Sequence, residues 1–250
     1  MNVLVVYAHP EPKSFNGAMR DLAVRVLGGM GHDVNVSDLY ALDFKATADA
    51  EDFGTLANPD FFKVQAEQSA AAARGMDFAP DIRHQLDLLL AADLLILQFP
   101  LWWFGLPAIL KGWVDRVFAA GVTYGGDVGW FSKGRFRGRR AMVAMTTGGG
   151  ADSFAADGLS GALDVVLWPI QNGMLNFVGF DVLPPYIAYS PARVDAAARA
   201  ALLADYEARL RAVETTPPLR FHPLEDFDGR RLKPGVAPLT VGQGLPPRGS

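Results

Sequence analysis

Four consecutive aliphatic residues, Leu94-Leu95-Ile96-Leu97, are followed after a short step by three aromatics, Trp102-Trp103-Phe104, and then by Gly105 and Pro107. A run apolar at every position is a strand buried on both faces rather than the alternating strand of a half-exposed sheet. Pro107 suits a first helical turn, where a missing N–H is no loss. Strand, loop and helix in that order make a βα unit. In an open α/β sheet the loop at a strand's carboxyl end is where ligands sit. Three large aromatics on such a loop demand a flat apolar partner, and a flavin ring has that shape.

The rest of the chain repeats the alternation. Val3 to Tyr7 reads as a second buried strand, and Ser14 to Val26 carries Phe15, Met19, Leu22, Ala23 and Val26 at helical spacing before Gly28-Gly29. Further strands are expected at Val34–Val36, Ala141–Met145 and Val182–Tyr189, the last at a sheet edge because of Pro184-Pro185. Helices are expected over Pro80–Ala92, Pro107–Ala120, all or part of Leu159–Gly173, and Arg193–Val213. Residues 41–80 form a long connection, expected to contribute to a dimer. Residues 121–140 are a glycine-rich excursion with Tyr124, Trp130 and Phe131.

The pattern predicts an α/β chain with a flavodoxin-like plan: a doubly wound five-stranded parallel sheet, helices on both faces, and a short extended C-terminal arm. Residues 1–216 form the cofactor-binding catalytic domain; 217–250 form the extension, partly extended or disordered. A dinucleotide-binding Rossmann plan is disfavoured, because the first turn, AHPEPKSFNGAM, has no G-x-G-x-x-G. With a net charge of -4 and both signs dispersed, neither nucleic acid nor an anionic membrane is favoured. The absence of cysteine excludes disulfides, thiolate catalysis and cysteine-ligated metal, and no metal is expected. The opening MNVLVVYAHPEP has no basic leader and an apolar run too short to span a bilayer, which predicts a cytoplasmic protein without membrane insertion.

Three loops carry the chemistry. His9, Ser14, Phe15 and Asn16 place backbone amides, a hydroxyl, a carboxamide and an imidazole at a helix N-terminus, an anion site; helix capping competes as an account of Ser14 or Asn16. Trp102-Trp103-Phe104 supplies an aromatic wall, one tryptophan being expected to pack into the core or a dimer interface. Thr146-Thr147-Gly148-Gly149-Gly150 allows close backbone approach and adds hydroxyls. Lys111, Asp115 and Arg116 read as a solvated or interface face, and Arg135, Arg137, Arg139 and Arg140 as a solvated cluster rather than a 2′-phosphate site.

Taken with SFNGAM (Ser14–Met19), SDLYAL (Ser37–Leu42), QFPLWWFGLPAILKGWVDRVF (Gln98–Phe118), TTGG (Thr146–Gly149) and LWPIQNGML (Leu167–Leu175), the chain resembles the FAD-dependent NAD(P)H:quinone oxidoreductases of the flavodoxin-like family from Met1 to about Leu219. The resemblance implies a bound FAD in preference to FMN, NADH or NADPH as donor, a quinone or similar flat acceptor, ping-pong chemistry and a homodimer. It implies that His9, Ser14, Phe15 and Asn16 meet the diphosphate region. Pro100, Leu101, Trp102, Trp103 and Phe104 would line the isoalloxazine, Thr146, Thr147, Gly148 and Gly149 bond its edge, and Arg199 sits near the adenine. Phe104, Tyr124 and Gly148 would shape the substrate pocket. Gly148, Phe154 and Ser160 hold the catalytic positions, but Phe154 and Ser160 stand where the family has a tyrosine and a histidine. The C-terminal region is shorter than the family's. Two alternatives remain at this point: a cytoplasmic ancillary or regulatory flavoprotein subunit of a potassium efflux system, and an FMN-dependent azoreductase.

Overall fold

Successive residues of a strand face opposite sides of its sheet, and here both sides are covered. In the computed structural model, which describes residues 1–239, β1 (Asn2–Tyr7), β3 (Leu94–Pro100) and β4 (Arg140–Thr147) are almost wholly buried. Val3, Val5, Leu94, Ile96, Met142 and Ala144 face one helical layer, α1 (Phe15–Gly29) and α6 (Ala196–Arg211). Leu4, Val6, Leu95, Leu97, Val143 and Met145 face the other, with α3 (Pro80–Ala91), α4 (Ala108–Val117) and α5 (Leu163–Ile170).

The sheet is parallel throughout. β2 (Asp33–Asp38) forms one edge, followed by β1, β3 and β4, and two short strands, β5 (Asp181–Val182) and β6 (Tyr186–Tyr189), both pair with β4 at the other edge. Together they are the fifth strand, interrupted at Pro184-Pro185, where proline has no N–H to give the ladder. The edge position agrees with the sequence reading; the break was not foreseen. One helix end differs from expectation: Gly28-Gly29 lie inside the last turn of α1, and the chain leaves through Met30 and Gly31 at φ 85°. α5 occupies part of the expected 159–173 span and, after Pro169 removes a helical donor, widens into a π-helical turn over Gln171–Asn176.

The 41–80 connection contains α2 (Val64–Ala73) and is locked to α4 by an ion cluster. Arg116 is buried. Its guanidinium donates to Asp52 Oδ1 at 2.9 and 3.1 Å and to the Lys45 carbonyl at 2.9 Å, pairs with the Asp81 carboxylate 2.9 Å away, and stacks over Phe44. Arg116 is therefore neither the solvated nor the interface residue expected; only Lys111 and Asp115 are exposed, as an i,i+4 pair. Gly112 of α4 admits the connection, since a Cβ there would stand 2.1 Å from the Ala46 carbonyl oxygen. Arg139 and Arg140 donate to main-chain carbonyls of Leu90, Ala92, Val213 and Thr216, which removes them from any phosphate cluster.

Beyond α6 the chain returns to the sheet edge, where the Leu219 amide donates to Val182. It then forms a small hairpin of β7 (Phe227–Asp228) and β8 (Arg231–Leu232), with His222 Nδ1 2.7 Å from Asp226. Residues 240–250 lie outside the described part.

Candidate active site

The carboxyl ends of β1, β3, β4 and β6 bring four loops to one edge of the sheet. Ser14 ends the first loop as the N-cap of α1, its Oγ accepting from the Gly17 amide at 3.1 Å, so the capping account of Ser14 holds. The amides of Phe15 and Asn16 have no partner among the described residues. Beside them, His9 Nδ1 is engaged by the Glu11 main chain at 3.0 and 3.1 Å, which leaves Nε2 available. The Phe15 ring packs against the core between α1 and α6, so this residue offers its amide rather than its ring.

Asn16 is the hinge of the site. Its Nδ2 donates to Thr146 Oγ1 at 2.9 Å, and its carbonyl accepts from Gln98 Nε2 at 2.6 Å. Gln98 Oε1 in turn accepts from the Tyr206 hydroxyl at 3.3 Å. Burial pushes the Tyr206 phenol well above its ordinary value, so it stays a donor. Asn16 Oδ1 is buried with no partner. Flipping the amide exchanges that orphan for Nδ2, so one polar atom is free either way. Such an atom in a closed network is open to a partner from outside the chain, a ligand or an ordered water.

The aromatic loop is a two-residue hairpin. The Trp102 and Gly105 amides and carbonyls bond reciprocally at 3.2 and 3.0 Å, and Trp103 and Phe104 between them adopt φ 51° and 58°. Positive φ at both central positions is the type I′ turn, a geometry usually filled by Asn-Gly. The tip is held out from the protein: Trp103 is 98 % exposed, Phe104 55 % and Trp102 41 %. Neither tryptophan enters the core, so of the two places expected for one of them only the dimer interface is left. Trp102 lies 6.4 Å from the His9 ring, and Leu101 donates to the Thr146 carbonyl at 2.8 Å. Pro100 closes β3 opposite Thr146.

In the glycine loop, Thr147 Oγ1 donates to the Gly149 carbonyl at 2.8 Å and Ser190 Oγ to the Gly148 carbonyl at 3.1 Å. The amides of Gly148, Gly149 and Gly150 find no acceptor among the described residues. Phe154 is buried, 6.3 Å from Phe104 and 6.1 Å from Tyr189, and so wedges the aromatic hairpin against β6. The Ser160 amide donates to Ser153, and its hydroxyl has no partner among the described residues. Arg199 stands in the first turn of α6 with its guanidinium on the Val194 carbonyl at 2.5 Å.

The edge thus gathers His9, Ser14, Phe15, Asn16, Pro100, Leu101, Trp102, Phe104, Thr146, Thr147, Gly148, Gly149 and Phe154. Tyr124 is not among them. It packs against Phe177 at 5.3 Å and lines a separate cavity of about 620 Å³ with Trp130, Phe131 and Phe227. Gln98, Tyr189 and Ser190 belong to the edge but were not singled out from the sequence. Only Gln98 carried a signal, as an amide in an otherwise apolar strand.

These groups fit a flavin: unpartnered amides and an imidazole nitrogen for phosphate, an aromatic wall, and three free N–H groups for a polar ring edge. The chain belongs to the flavodoxin-like fold family, whose model matches residues 1–210. It is 41 % identical to NAD(P)H dehydrogenase [quinone] 1 of Cavia porcellus, over 90 % of this chain and 82 % of that protein. It is likewise 41 % identical to ribosyldihydronicotinamide dehydrogenase [quinone] of Homo sapiens, over 87 % and 94 %. A crystal structure from Klebsiella pneumoniae, of a protein provisionally assigned as a quinone reductase, superposes with TM-score 0.86 at 42 % identity, covering 94 % of this chain and 92 % of that one.

Proposed function

We propose that this chain is a flavin-dependent NAD(P)H:quinone oxidoreductase that moves two electrons from a reduced nicotinamide to a quinone or another flat electrophile. The observation that carries the reading is the assembly, on one sheet edge, of an exposed aromatic hairpin, a helix N-terminus with His9, and a glycine loop with three unpartnered amides. The names of the relatives, at 41 % identity along most of both chains, support the same activity.

The flavin supplies the electron-accepting ring. His9 and the amides of Phe15 and Asn16 hold its phosphate, with the positive end of α1 behind them. Trp102, Trp103 and Phe104 exclude water from one face of the ring and orient it. The Gly148–Gly150 amides and Thr147 meet its polar edge, where preorganised donors favour developing negative charge. We assign FAD rather than FMN, with Arg199 toward the adenylate end, and the substrate space to Phe104 and Gly148. Residues 1–216 form the catalytic unit and, among the described residues, 217–239 an arm upon it. The place of Tyr124 in a separate cavity, and the bare Trp103 ring, support a homodimer in which a second copy covers the hairpin and brings Tyr124 to it. We place the protein in the cytoplasm; among the described residues no helix is long and apolar enough to cross a membrane.

The test is a visible spectrum. Protein incubated with FAD or FMN and desalted is expected to be yellow, to bleach on anaerobic addition of NADH or NADPH, and to regain colour with a quinone. A folded preparation that takes up neither flavin refutes the reading.

A further inference from the structure

Ser190, the first residue beyond β6, is held in a conformation that its type avoids: φ is 46°, in the left-handed region. Glycine would sit there without strain, so the serine hydroxyl is the reason to look closely. The residue is fixed at three points. Its amide donates to the Thr147 carbonyl at 2.9 Å, its carbonyl accepts from the Arg193 amide at 2.9 Å, and its Oγ donates to the Gly148 carbonyl at 3.1 Å. Thr147 Oγ1 restrains the next carbonyl, that of Gly149, in the same way. A loop of three glycines has no side chains with which to fix itself. With two carbonyls tied down on the protein side, its peptide planes are set, and the Gly148, Gly149 and Gly150 amides remain unpartnered.

We propose that Ser190 is a positioning residue for the flavin's polar edge, pinning the Gly148 carbonyl so that the glycine-loop amides face the cofactor already aligned. The inference rests on the flavin reading above. It also identifies what takes on part of the polar work where Phe154 has no hydroxyl and Ser160 no charge. Donors fixed beforehand favour the electron-rich reduced form over the oxidised one without reorganising as the charge arrives.

The test is Ser190→Gly, which accepts the same backbone angle and lacks only the hydroxyl, so the thermal midpoint should not fall. In flavin-free protein, ¹⁵N relaxation should show the order parameters of the Gly148–Gly150 amides dropping from the rigid range, about 0.85, to below about 0.6. In flavin-loaded protein, the preference for reduced over oxidised flavin should weaken about tenfold, a shift of the two-electron midpoint to more negative potential by about 30 mV. Ser190→Asn, which tolerates the left-handed region and keeps an N–H donor, should recover part of both. Unchanged order parameters, or a loosened loop with an unchanged midpoint, overturn this inference alone. Wild-type protein that binds no flavin overturns the flavin reading, and this inference with it.

Discussion

Replacing Trp103-Phe104 by Asn-Gly should make the protein more stable and a poorer flavin binder at once. Left-handed φ costs an ordinary L-residue about 1–2 kcal/mol, and two such residues stand side by side at φ 51° and 58°. Asn and Gly relieve most of that. Against the gain, glycine adds backbone freedom to the unfolded chain, about 0.5–1 kcal/mol. Little packing is lost, because Trp103 is 98 % exposed and Phe104 touches the protein chiefly through Phe154. The balance is a gain of about 2 kcal/mol, or a rise of about 4–8 °C in thermal midpoint for a chain of this size. Flavin affinity should move the other way, since two stacked rings are worth about 1–3 kcal/mol, roughly fivefold to 150-fold in dissociation constant. Calorimetry of the flavin-free protein and fluorescence titration with FAD measure the two effects. A variant with no gain in midpoint refutes the strain argument; one that gains stability but binds FAD as before refutes the place given to these rings.

Three further outcomes follow from the same structure. Asp52→Ala strands the buried Arg116 with only Asp81 and a carbonyl, and should cost about 3–5 kcal/mol in urea denaturation; Asp52→Leu with Arg116→Met should restore most of it, and an equally unstable double variant would show that packing, not charge, was lost. Burial pushes the Tyr186 phenol up to about 12 from an ordinary 10.0. Below pH 10 its contribution is fully present; between about 10 and 12 only the unfolded chain ionises there, so stability falls by about 1.4 kcal/mol per pH unit, and Tyr186→Phe should flatten that slope in urea midpoints taken from pH 9 to 11. Gly17→Ala sets a Cβ 1.9 Å from the Pro12 carbonyl oxygen; moving the His9–Ser14 loop aside should cost about 1–3 kcal/mol and weaken FAD binding, and unaltered binding would remove that loop from the site.

What the sequence disclosed and what it concealed divide by distance along the chain. β1, β3 and β4 were legible because strands buried on both faces are apolar at every position, and the three loops because each directly follows such a strand. Capping could at least be weighed for Ser14 because its partner, Gly17, is three residues away. Arg116 was misread because its carboxylate partner, Asp52, lies 64 positions earlier. Gln98 reaches 82 positions to Asn16, and Ser190 reaches 42 positions to Gly148. No local pattern encodes such pairs. The exposed tip of the aromatic hairpin was hidden for another reason: nothing in Trp-Trp-Phe announces a I′ turn, whose usual residues are Asn and Gly.

The position of Phe154 sharpens the question of how a site of this kind works without a phenol there. A tyrosine would offer a hydroxyl to the ligand edge; phenylalanine keeps only the wedge. That wedge is substantial, since its ring is buried between Phe104, on the aromatic hairpin, and Tyr189, one residue before Ser190. Packing and polarity are thereby separated. Phe154 sets the spacing between aromatic wall and glycine loop, while the amides of that loop, aligned by Thr147 and Ser190, supply the donors. A tyrosine restored at 154 would then duplicate donors already present. On this argument Phe154→Tyr should change the flavin midpoint much less than Ser190→Gly does, whereas Phe154→Ala, which removes the wedge, should loosen FAD binding. If Phe154→Tyr instead raises the midpoint by more than Ser190→Gly lowers it, the main-chain amides are not the principal donors.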